Sequence, residues 1–278
     1  MTEPIILLTN DDGISSPGLA AAAAALDHLG ELLIVAPREQ QTSMSRSRSQ
    51  QYGADGRLFQ TDVVYKDQRW NGFAVNATPA LAVEHAVQEI ADRSIDLVIS
   101  GINYGENVGS CVTVSGTIGA AIEAAERGIP AMAVSLEIAS TDYHTHDTDI
   151  NFEVAAYFTN QLAQKMLIKP MPEDVDVLKL EIPASATRKT RVVLTRQDKI
   201  SYYMPYMDKR KDLFSGPATL KHTPSKGEYT RTDTDAYALA NQLVAITPLS
   251  LDLTSRVKMQ TLSDLLQTPA ISEQEKNI

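Results

Sequence analysis

Short apolar runs alternate with helical patterns along the first half of the chain. Continuous apolar runs, typical of strands buried on both faces, occur at residues 5–9, 32–36, 95–100 and 131–135. Helical patterns separate them, one beginning at Ser16-Pro17 and ending before Gly30, one beginning at Thr78-Pro79, and one spanning 118–127. Strands that alternate with helices through short connections predict an α/β fold, with a Rossmann-like, mostly parallel sheet flanked by helices.

The pattern changes in two places. A polar stretch after the second strand contains short runs at 61–65 and 72–75 that predict a hairpin. Beyond a helix at 152–167, the runs at 175–182, 191–195 and 243–249 resemble strand pairs, and residues 201–228 are expected to be irregular. We therefore predict one domain over 1–278, with the core and the active site in 1–140 and a C-terminal portion, 141–278, that completes the fold.

Composition excludes several classes of protein. The 278-residue chain carries a formal net charge of -10, whereas a protein that binds nucleic acid polymers normally presents a basic surface. Cys111 is the single cysteine, so no internal disulfide can form. No apolar run approaches the roughly 20 residues that span a bilayer, and the first residues do not resemble a signal peptide. We expect a cytoplasmic protein without a membrane partner.

The first candidate site follows the first strand. Ligands of open parallel sheets bind at the carboxyl ends of the strands, and the first strand is followed by Asn10-Asp11-Asp12-Gly13. Asn, Asp and Gly are common turn formers, so a simple turn is one interpretation. The other is a site for a hard divalent cation, because adjacent carboxylates repel each other unless a cation or donors neutralise them.

Two further polar segments follow predicted strands. Residues 37–49 supply hydroxyls and guanidinium groups suited to phosphate oxygens, or else a solvated loop. Residues 100–109 are rich in glycine, and Ser115-Gly116-Thr117 lies at a predicted helix start, where free N–H groups favour an anion. The alternative for these two is a tight loop with small residues that pack a helix on the sheet.

Taken together, the motifs resemble one family. They are Thr9-Asn10-Asp11-Asp12-Gly13, Ser100-Gly101-Ile102-Asn103, Asn107-x-Gly109, Ser115-Gly116-Thr117, Thr232-Asp233-Thr234-Asp235-Ala236 and Ile246-Thr247-Pro248-Leu249. This combination resembles the SurE family of nucleotide phosphatases, and it covers most of the chain except about 143–228, which matches in outline.

The resemblance implies a metal site and a catalytic pair. One divalent ion per subunit, Mg²⁺ or Mn²⁺, is expected on Asp11, Asp12, Thr42 and Asn103, and Asp11 and Asp12 are the expected catalytic residues. The family usually has a serine directly after the position of Gln41, where this chain has Thr42 followed by Ser43, so either hydroxyl can be the ligand. The substrate-binding residues that the resemblance implies are Asn10, Ser43, Asn107, Ser115, Gly116 and Thr117.

The expected reaction is metal-assisted hydrolysis of nucleoside 5′-monophosphates, with 3′-nucleotides and short polyphosphate left open as further substrates. The resemblance also implies a homodimer or homotetramer built through an extended C-terminal arm.

Three alternatives compete with this reading. A phosphatase with an aspartyl-phosphate intermediate usually has its two aspartates one residue apart, whereas here they are adjacent. A non-catalytic nucleotide-binding protein on the same fold is the second. A dinucleotide-dependent oxidoreductase is disfavoured, because the turn after the first strand lacks the glycine fingerprint.

Overall fold

The computed structural model describes residues 3–50, 54–138, 150–214, 216–225 and 229–270. Its strands are β1 (Ile5–Thr9), β2 (Glu31–Pro37), β3 (Leu58–Tyr65), β4 (Gln68–Val75), β5 (Leu97–Tyr104), β6 (Ala131–Leu136), β7 (Val177–Ile182), β8 (Val192–Leu194), β9 (Tyr203–Met207), β10 (Leu220–Pro224) and β11 (Val244–Leu249). Its α-helices are α1 (Pro17–Leu26), α2 (Pro79–His85), α3 (Gly116–Glu126), α4 (Glu153–Ile168), α5 (Asp235–Ala240) and α6 (Met259–Leu266).

Nine strands form one sheet in the order β3-β4-β2-β1-β5-β6-β7-β11-β8. The pairs from β4 through β7 are parallel, whereas β3 pairs antiparallel with β4 and β11 antiparallel with β7. The predicted α/β fold is thereby confirmed, including the hairpin, in which Thr61 lies opposite Gly72. Because β1, β5 and β6 lie at the centre, the polar segments that follow them meet at one edge of the sheet.

Two helical layers cover the sheet. Alternate residues of β1 face opposite layers: Ile6 and Leu8 pack with α1 and α4, and Ile5 and Leu7 pack with α2 and α3. The small residues of α1 let this helix lie directly on β5, since a Cβ at Gly18 would fall 2.0 Å from the carbonyl oxygen of Ile102. Burial on both faces explains why the central strands are continuous apolar runs.

Two expectations about local structure are wrong. The strand predicted at 95–100 continues as β5 to Tyr104, because Asn103 and Tyr104 still pair with β6 after an irregularity that follows Ser100. Asn103 therefore lies in a strand and not in a loop. Residues 201–228, expected to be irregular, contain the antiparallel pair β9–β10, in which Tyr203 lies opposite Pro224 and Met207 opposite Leu220. That pair lacks the alternation of apolar and polar residues that predicts strands.

Candidate active site

The acidic segment after β1 is a turn closed by Asn10. The Asn10 side chain is buried, its Nδ2 donates to the Gly13 carbonyl at 3.0 Å, and its Oδ1 accepts from the Gly13 amide at 3.1 Å. Gly13 has a φ of 95°, a backbone conformation that favours glycine. Asn10 thus shapes the turn that presents Asp11 and Asp12, and its expected contact with substrate stays a prediction.

Asp11 lies against the start of α3. Its Oδ1 accepts from the Thr117 hydroxyl at 2.6 Å, and the backbone N–H groups of Gly116 and Thr117 also stabilise the carboxylate. A Cβ at Gly116 would fall 2.7 Å from Asp11 Oδ2, so glycine is needed for this approach. Burial nevertheless outweighs these hydrogen bonds and raises the pKa of Asp11 to about 6.

Asp12 is held between two other segments. Its Oδ2 accepts from the Tyr104 amide at 2.9 Å at the end of β5, and its Oδ1 accepts from Gln40 Nε2 at 3.3 Å. Burial is the largest influence on its ionisation, and the neighbouring charge of Asp11 adds to it. Together they raise the pKa of Asp12 to about 8.

The chemistry of this pair fits a divalent cation. Both carboxylates are buried, and hydrogen bonds from Thr117, Tyr104 and Gln40 do not offset the effect of burial on the two pKa values or of the Asp11 charge on Asp12. A hard cation with oxygen ligands would let both remain ionised. Within the described ranges no group of three or more His, Cys, Asp and Glu could hold a metal, and a site built on this pair would draw on neutral oxygens as well.

Neutral oxygens are available near the pair. Asn103 precedes Tyr104, whose amide binds Asp12. The Asn103 side chain is mostly buried, and its Nδ2 donates to the Gly105 carbonyl at 2.6 Å. Since its nitrogen is engaged, its Oδ1 is the atom available as a ligand. Thr42 and Ser43 are exposed in the loop after β2, and Ser43 has a φ of 63°. Nothing in this geometry chooses between the two hydroxyls.

The loop after β2 is anchored on both sides of the hydroxyls. Before them, the Gln41 amide donates to the Asp11 carbonyl at 2.7 Å. After them, the Ser45 amide donates to the Val114 carbonyl at 3.1 Å. Two of the three guanidinium groups expected to suit phosphate oxygens have another partner: Arg46 and Arg48 bind the buried Glu123 of α3.

Two contacts describe this ionic anchor. Arg46 Nε lies 2.7 Å from Glu123 Oε2, and Arg48 Nε lies 2.9 Å from Oε1. Gly119, one turn before Glu123 on the same helix, permits the close packing, because a Cβ there would fall 2.1 Å from the Ser45 carbonyl oxygen. The loop is therefore fixed against α3.

The remaining expected substrate ligands are already engaged. Asn107 Nδ2 donates to Ser135 Oγ of β6 at 3.0 Å. Ser115 Oγ accepts from the Ile118 amide at 3.1 Å and caps α3. The Thr117 hydroxyl donates to Asp11. The structure brings all three to the same edge of the sheet as Asp11, and their contacts with substrate stay predictions.

A buried charged cluster was missed from the sequence. Lys179, Glu181 and Asp235, called the Lys179 cluster here, have no exposed surface. Lys179 Nζ lies 2.9 Å from Asp235 Oδ2 and 3.6 Å from Glu181 Oε1. The available signal was a lysine and a glutamate two residues apart in the run at 175–182, where a strand buried on both faces should be apolar.

A cavity of about 460 Å³ lies beside Asp12. Its lining includes Asp12, Gln40, Phe59 and Arg38, with the Arg38 guanidinium carbon 4.7 Å from the centre of the Phe59 ring. Gln40 joins the cavity to the acidic pair, since its amide also binds Asp12. An aromatic ring and convergent polar groups beside carboxylates are common in small-molecule sites.

Known proteins are similar to this chain in sequence and in fold. The family profile described as "Survival protein SurE" matches residues 6–204. The 5′-nucleotidase SurE of Thermococcus kodakarensis is 36% identical over 262 residues, which cover 94% of this chain and 98% of that protein. The 5′-nucleotidase SurE of Methanocella arvoryzae is 40% identical over 263 residues, which cover 90% of this chain and 93% of that protein. The crystal structure of the SurE protein from Aquifex aeolicus matches with a TM-score of 0.72 at 30% identity, covering 95% of this chain and 100% of that chain.

Proposed function

This chain belongs to the SurE family, and from that premise we propose that it is a metal-dependent 5′-nucleotidase that hydrolyses nucleoside 5′-monophosphates to nucleoside and phosphate. Relatives named 5′-nucleotidase match it over nearly their whole length. We include 3′-nucleotides and short polyphosphate as further substrates of the same site.

One observation carries the proposal: two adjacent buried carboxylates lie at the end of a central strand; burial raises the pKa of both, and the charge of Asp11 raises that of Asp12 further. Asp11, Asp12, the Asn103 Oδ1 and the hydroxyl of Thr42 or Ser43 would hold one Mg²⁺ or Mn²⁺ ion. When bound, such an ion supplies Lewis-acid stabilisation of charge on phosphate oxygens.

The chain's own groups would perform the remaining steps. The N–H groups and hydroxyl at the start of α3 orient the Asp11 carboxylate, and Asp11 accepts the proton of the attacking water. The side chains of Asn107 and Ser115 hold the phosphoryl oxygens. Water attacks phosphorus, the bond from phosphorus to the nucleoside oxygen breaks, and that oxygen takes up a proton from solvent while Asp11 releases its proton to solvent, so that the products are nucleoside and inorganic phosphate.

The experiment that tests the reaction is phosphate release from a panel of 5′- and 3′-nucleoside monophosphates and short polyphosphate, each with Mg²⁺ and with Mn²⁺. Release from the 5′-monophosphates supports the proposal. If folded protein binds these nucleotides and releases no phosphate from any of them, the chain is instead a nucleotide-binding protein on this fold.

The nucleoside is assigned to the cavity beside Asp12. Its volume of about 460 Å³ is in the range of small-molecule pockets, about 300–1,000 Å³. Phe59 and the Arg38 guanidinium, 4.7 Å apart, provide flat surfaces on which a base can stack. Because Gln40 contacts Asp12, a nucleoside bound there would extend directly from the acidic pair.

Phe59→Ala is expected to raise the KM for adenosine 5′-monophosphate about tenfold, because stacking of a base on an aromatic ring contributes about 1–3 kcal/mol. The KM for glycerol phosphate, which has no base, should stay unchanged. Val64→Ala, at an exposed position of the same strand, is the control. Equal changes in KM for both substrates would show that Phe59 does not contact the nucleoside.

We also propose that the chain assembles into a homodimer or homotetramer through its C-terminal portion. Large apolar side chains are exposed there, among them Phe214 and Leu253 at 95% and 92% exposure, and α6 buries none of its residues. Such surface normally marks an interface.

Among the helices of the described residues, none has the length and the apolar composition that crossing a bilayer requires.

Light scattering should give a multiple of the 30.3 kDa chain mass. The double variant Leu265→Glu and Leu266→Glu, on the exposed face of α6, is expected to lower that mass. A wild-type protein that is monomeric at micromolar concentration would contradict the assembly.

A further inference from the structure

The Lys179 cluster holds the backbone of the segment that carries Asn107. Lys179 Nζ donates to the Asn107 carbonyl at 3.0 Å, and Glu181 Oε2 accepts from the Asn107 amide at 3.0 Å. Asp235 Oδ2 accepts from the Gly109 amide at 3.1 Å. Three buried charged side chains therefore bind both backbone groups of Asn107 and the amide two residues later.

The cluster lies beside the residue that binds the Asn107 side chain. Lys179 and Glu181 are two residues apart on β7, so their side chains share one face of the sheet. Glu181 is paired in register with Ser135 of β6, and Ser135 Oγ receives the Asn107 side-chain amide at 3.0 Å. The backbone and the side chain of Asn107 are thus fixed by neighbouring positions of β6 and β7.

Asp235 connects the cluster to the C-terminal portion. It stands at the start of α5, and its Oδ1 accepts from the amides of Asp198 and Ala236 at 2.8 and 2.9 Å. Gly109 also pairs with Ser201 in an isolated antiparallel bridge. The position of the segment 105–109 therefore depends on residues more than 70 positions later in the chain.

Stability does not explain these buried charges. A buried ion pair loses its hydration, and well-packed apolar side chains of similar volume often serve as well or better. What apolar side chains could not provide is a donor and two acceptors at fixed points of the backbone from 107 to 109. The arrangement therefore suits a role in geometry.

We propose that Lys179, Glu181 and Asp235 are positioning residues that hold the backbone of Asn107 and so place its side chain for binding the phosphoryl group. This proposal rests on the proposed phosphatase function, in which Asn107 holds phosphoryl oxygens. It makes affinity for phosphate depend on β7 and α5, which contribute no group to the acidic pair.

Lys179→Met is the test, because methionine retains most of the side-chain length and removes the donor to the Asn107 carbonyl. We expect KM for adenosine 5′-monophosphate to rise at least about tenfold, with a smaller change in kcat. The affinity for inorganic phosphate, measured by calorimetry, should fall by a similar factor. If Lys179 acts through Asn107, Lys179→Met should change KM less than about threefold in an Asn107→Ala background.

Loss of one partner of a buried pair can prevent folding, so a second variant is included. Lys179→Met with Glu181→Gln removes one charge of each sign and keeps an acceptor for the Asn107 amide; it is expected to raise KM in the same way. Leu162→Ala, in α4 on the opposite face of the sheet, leaves a cavity in the core and should lower the melting temperature while KM stays unchanged.

The outcomes are distinguishable. Wild-type KM and phosphate affinity in folded Lys179 variants would overturn the proposal, as would a fully additive effect in the Asn107→Ala background. If the wild-type protein hydrolyses no nucleotide, the phosphatase function fails, and the phosphate titrations still decide the positioning role. Wild-type protein that neither hydrolyses nucleotides nor binds phosphate would overturn both.

Discussion

Asp12→Asn is expected to lower kcat/KM for nucleoside 5′-monophosphates by about 10³-fold. Asparagine has the same shape, and its Oδ1 can still accept from the Tyr104 amide that binds Asp12 at 2.9 Å. The variant should therefore fold, and what it loses is one of the two negative charges that would hold the cation. The measurement is initial rates of phosphate release at saturating Mg²⁺ or Mn²⁺.

The same variant should be more stable than the wild-type protein in chelator at pH 8. The pKa of Asp12 is about 8 in the folded chain and about 3.9 in an unfolded one. The folded state therefore binds this proton more tightly, so the contribution to stability is greatest at low pH and is lost as the pH rises from about 4 to about 8. Asparagine has no proton to lose, and the wild-type melting temperature should fall more steeply with pH.

A divalent cation should reverse this difference. Binding to the folded state raises the wild-type melting temperature at pH 8, and it should raise that of Asp12→Asn much less. Other buried groups, such as Glu106, whose pKa burial raises to about 7, also make stability depend on pH. They are present in both proteins, so the difference between the two melting temperatures reports on Asp12. Identical dependence on pH and metal in the two proteins would refute the role of Asp12 as a buried ligand.

Gly119→Ala is expected to reduce both stability and nucleotidase activity. In an exposed helix interior, alanine would stabilise α3 by about 0.5–1 kcal/mol. Here the new Cβ would fall 2.1 Å from the carbonyl oxygen of Ser45 and 2.3 Å from its carbonyl carbon, and backbone atoms cannot rotate away. Overpacking typically costs about 1–3 kcal/mol. The clash therefore outweighs the gain in helix propensity, and the variant should be less stable than the wild-type protein.

The activity should fall because the loop that moves carries Thr42 and Ser43. We expect kcat/KM to fall at least about tenfold, since displacement by about 1 Å of a group that holds the reacting centre can cost about 10²-fold. Gly128→Ala is the matched control. Gly128 follows the end of the same helix with a φ of 73° and no atom within 4 Å of a new Cβ, so this variant should lose stability and keep the wild-type kcat/KM. Equal kinetics in the two variants would contradict the packing argument.

The fold was largely predictable because burial on both faces leaves a clear pattern in the sequence. The runs that became β1, β2, β6 and β11 are continuously apolar, and each is bounded by turn formers or proline. The pair β9–β10 was not predictable, since exposed strands such as Tyr203–Met207 carry no alternation. The extension of β5 past Gly101 was also missed, because glycine normally indicates the end of a strand.

The location of the candidate residues was more predictable than their contacts. Asn10, Asp11 and Asp12 were expected at the sheet edge because polar side chains at the ends of central parallel strands meet there, and their roles stay predictions. That Arg46 and Arg48 bind Glu123, and that Lys179 binds the Asn107 carbonyl, depends on partners about 70 or more residues away. No local pattern reports such pairs, since long-range packing alone brings them together.

The metal site at Asp11 and Asp12 is tested most directly by returning Mg²⁺ or Mn²⁺ to chelator-treated protein. Metal binding is followed by calorimetry and phosphate release from adenosine 5′-monophosphate is measured in the same samples, for the wild-type protein and for Asp12→Asn. We predict about one ion bound per wild-type chain, phosphate release that rises in proportion to the bound metal, and weak binding without release in the variant. Full phosphate release in chelator, or equal metal binding by the two proteins, would contradict the account.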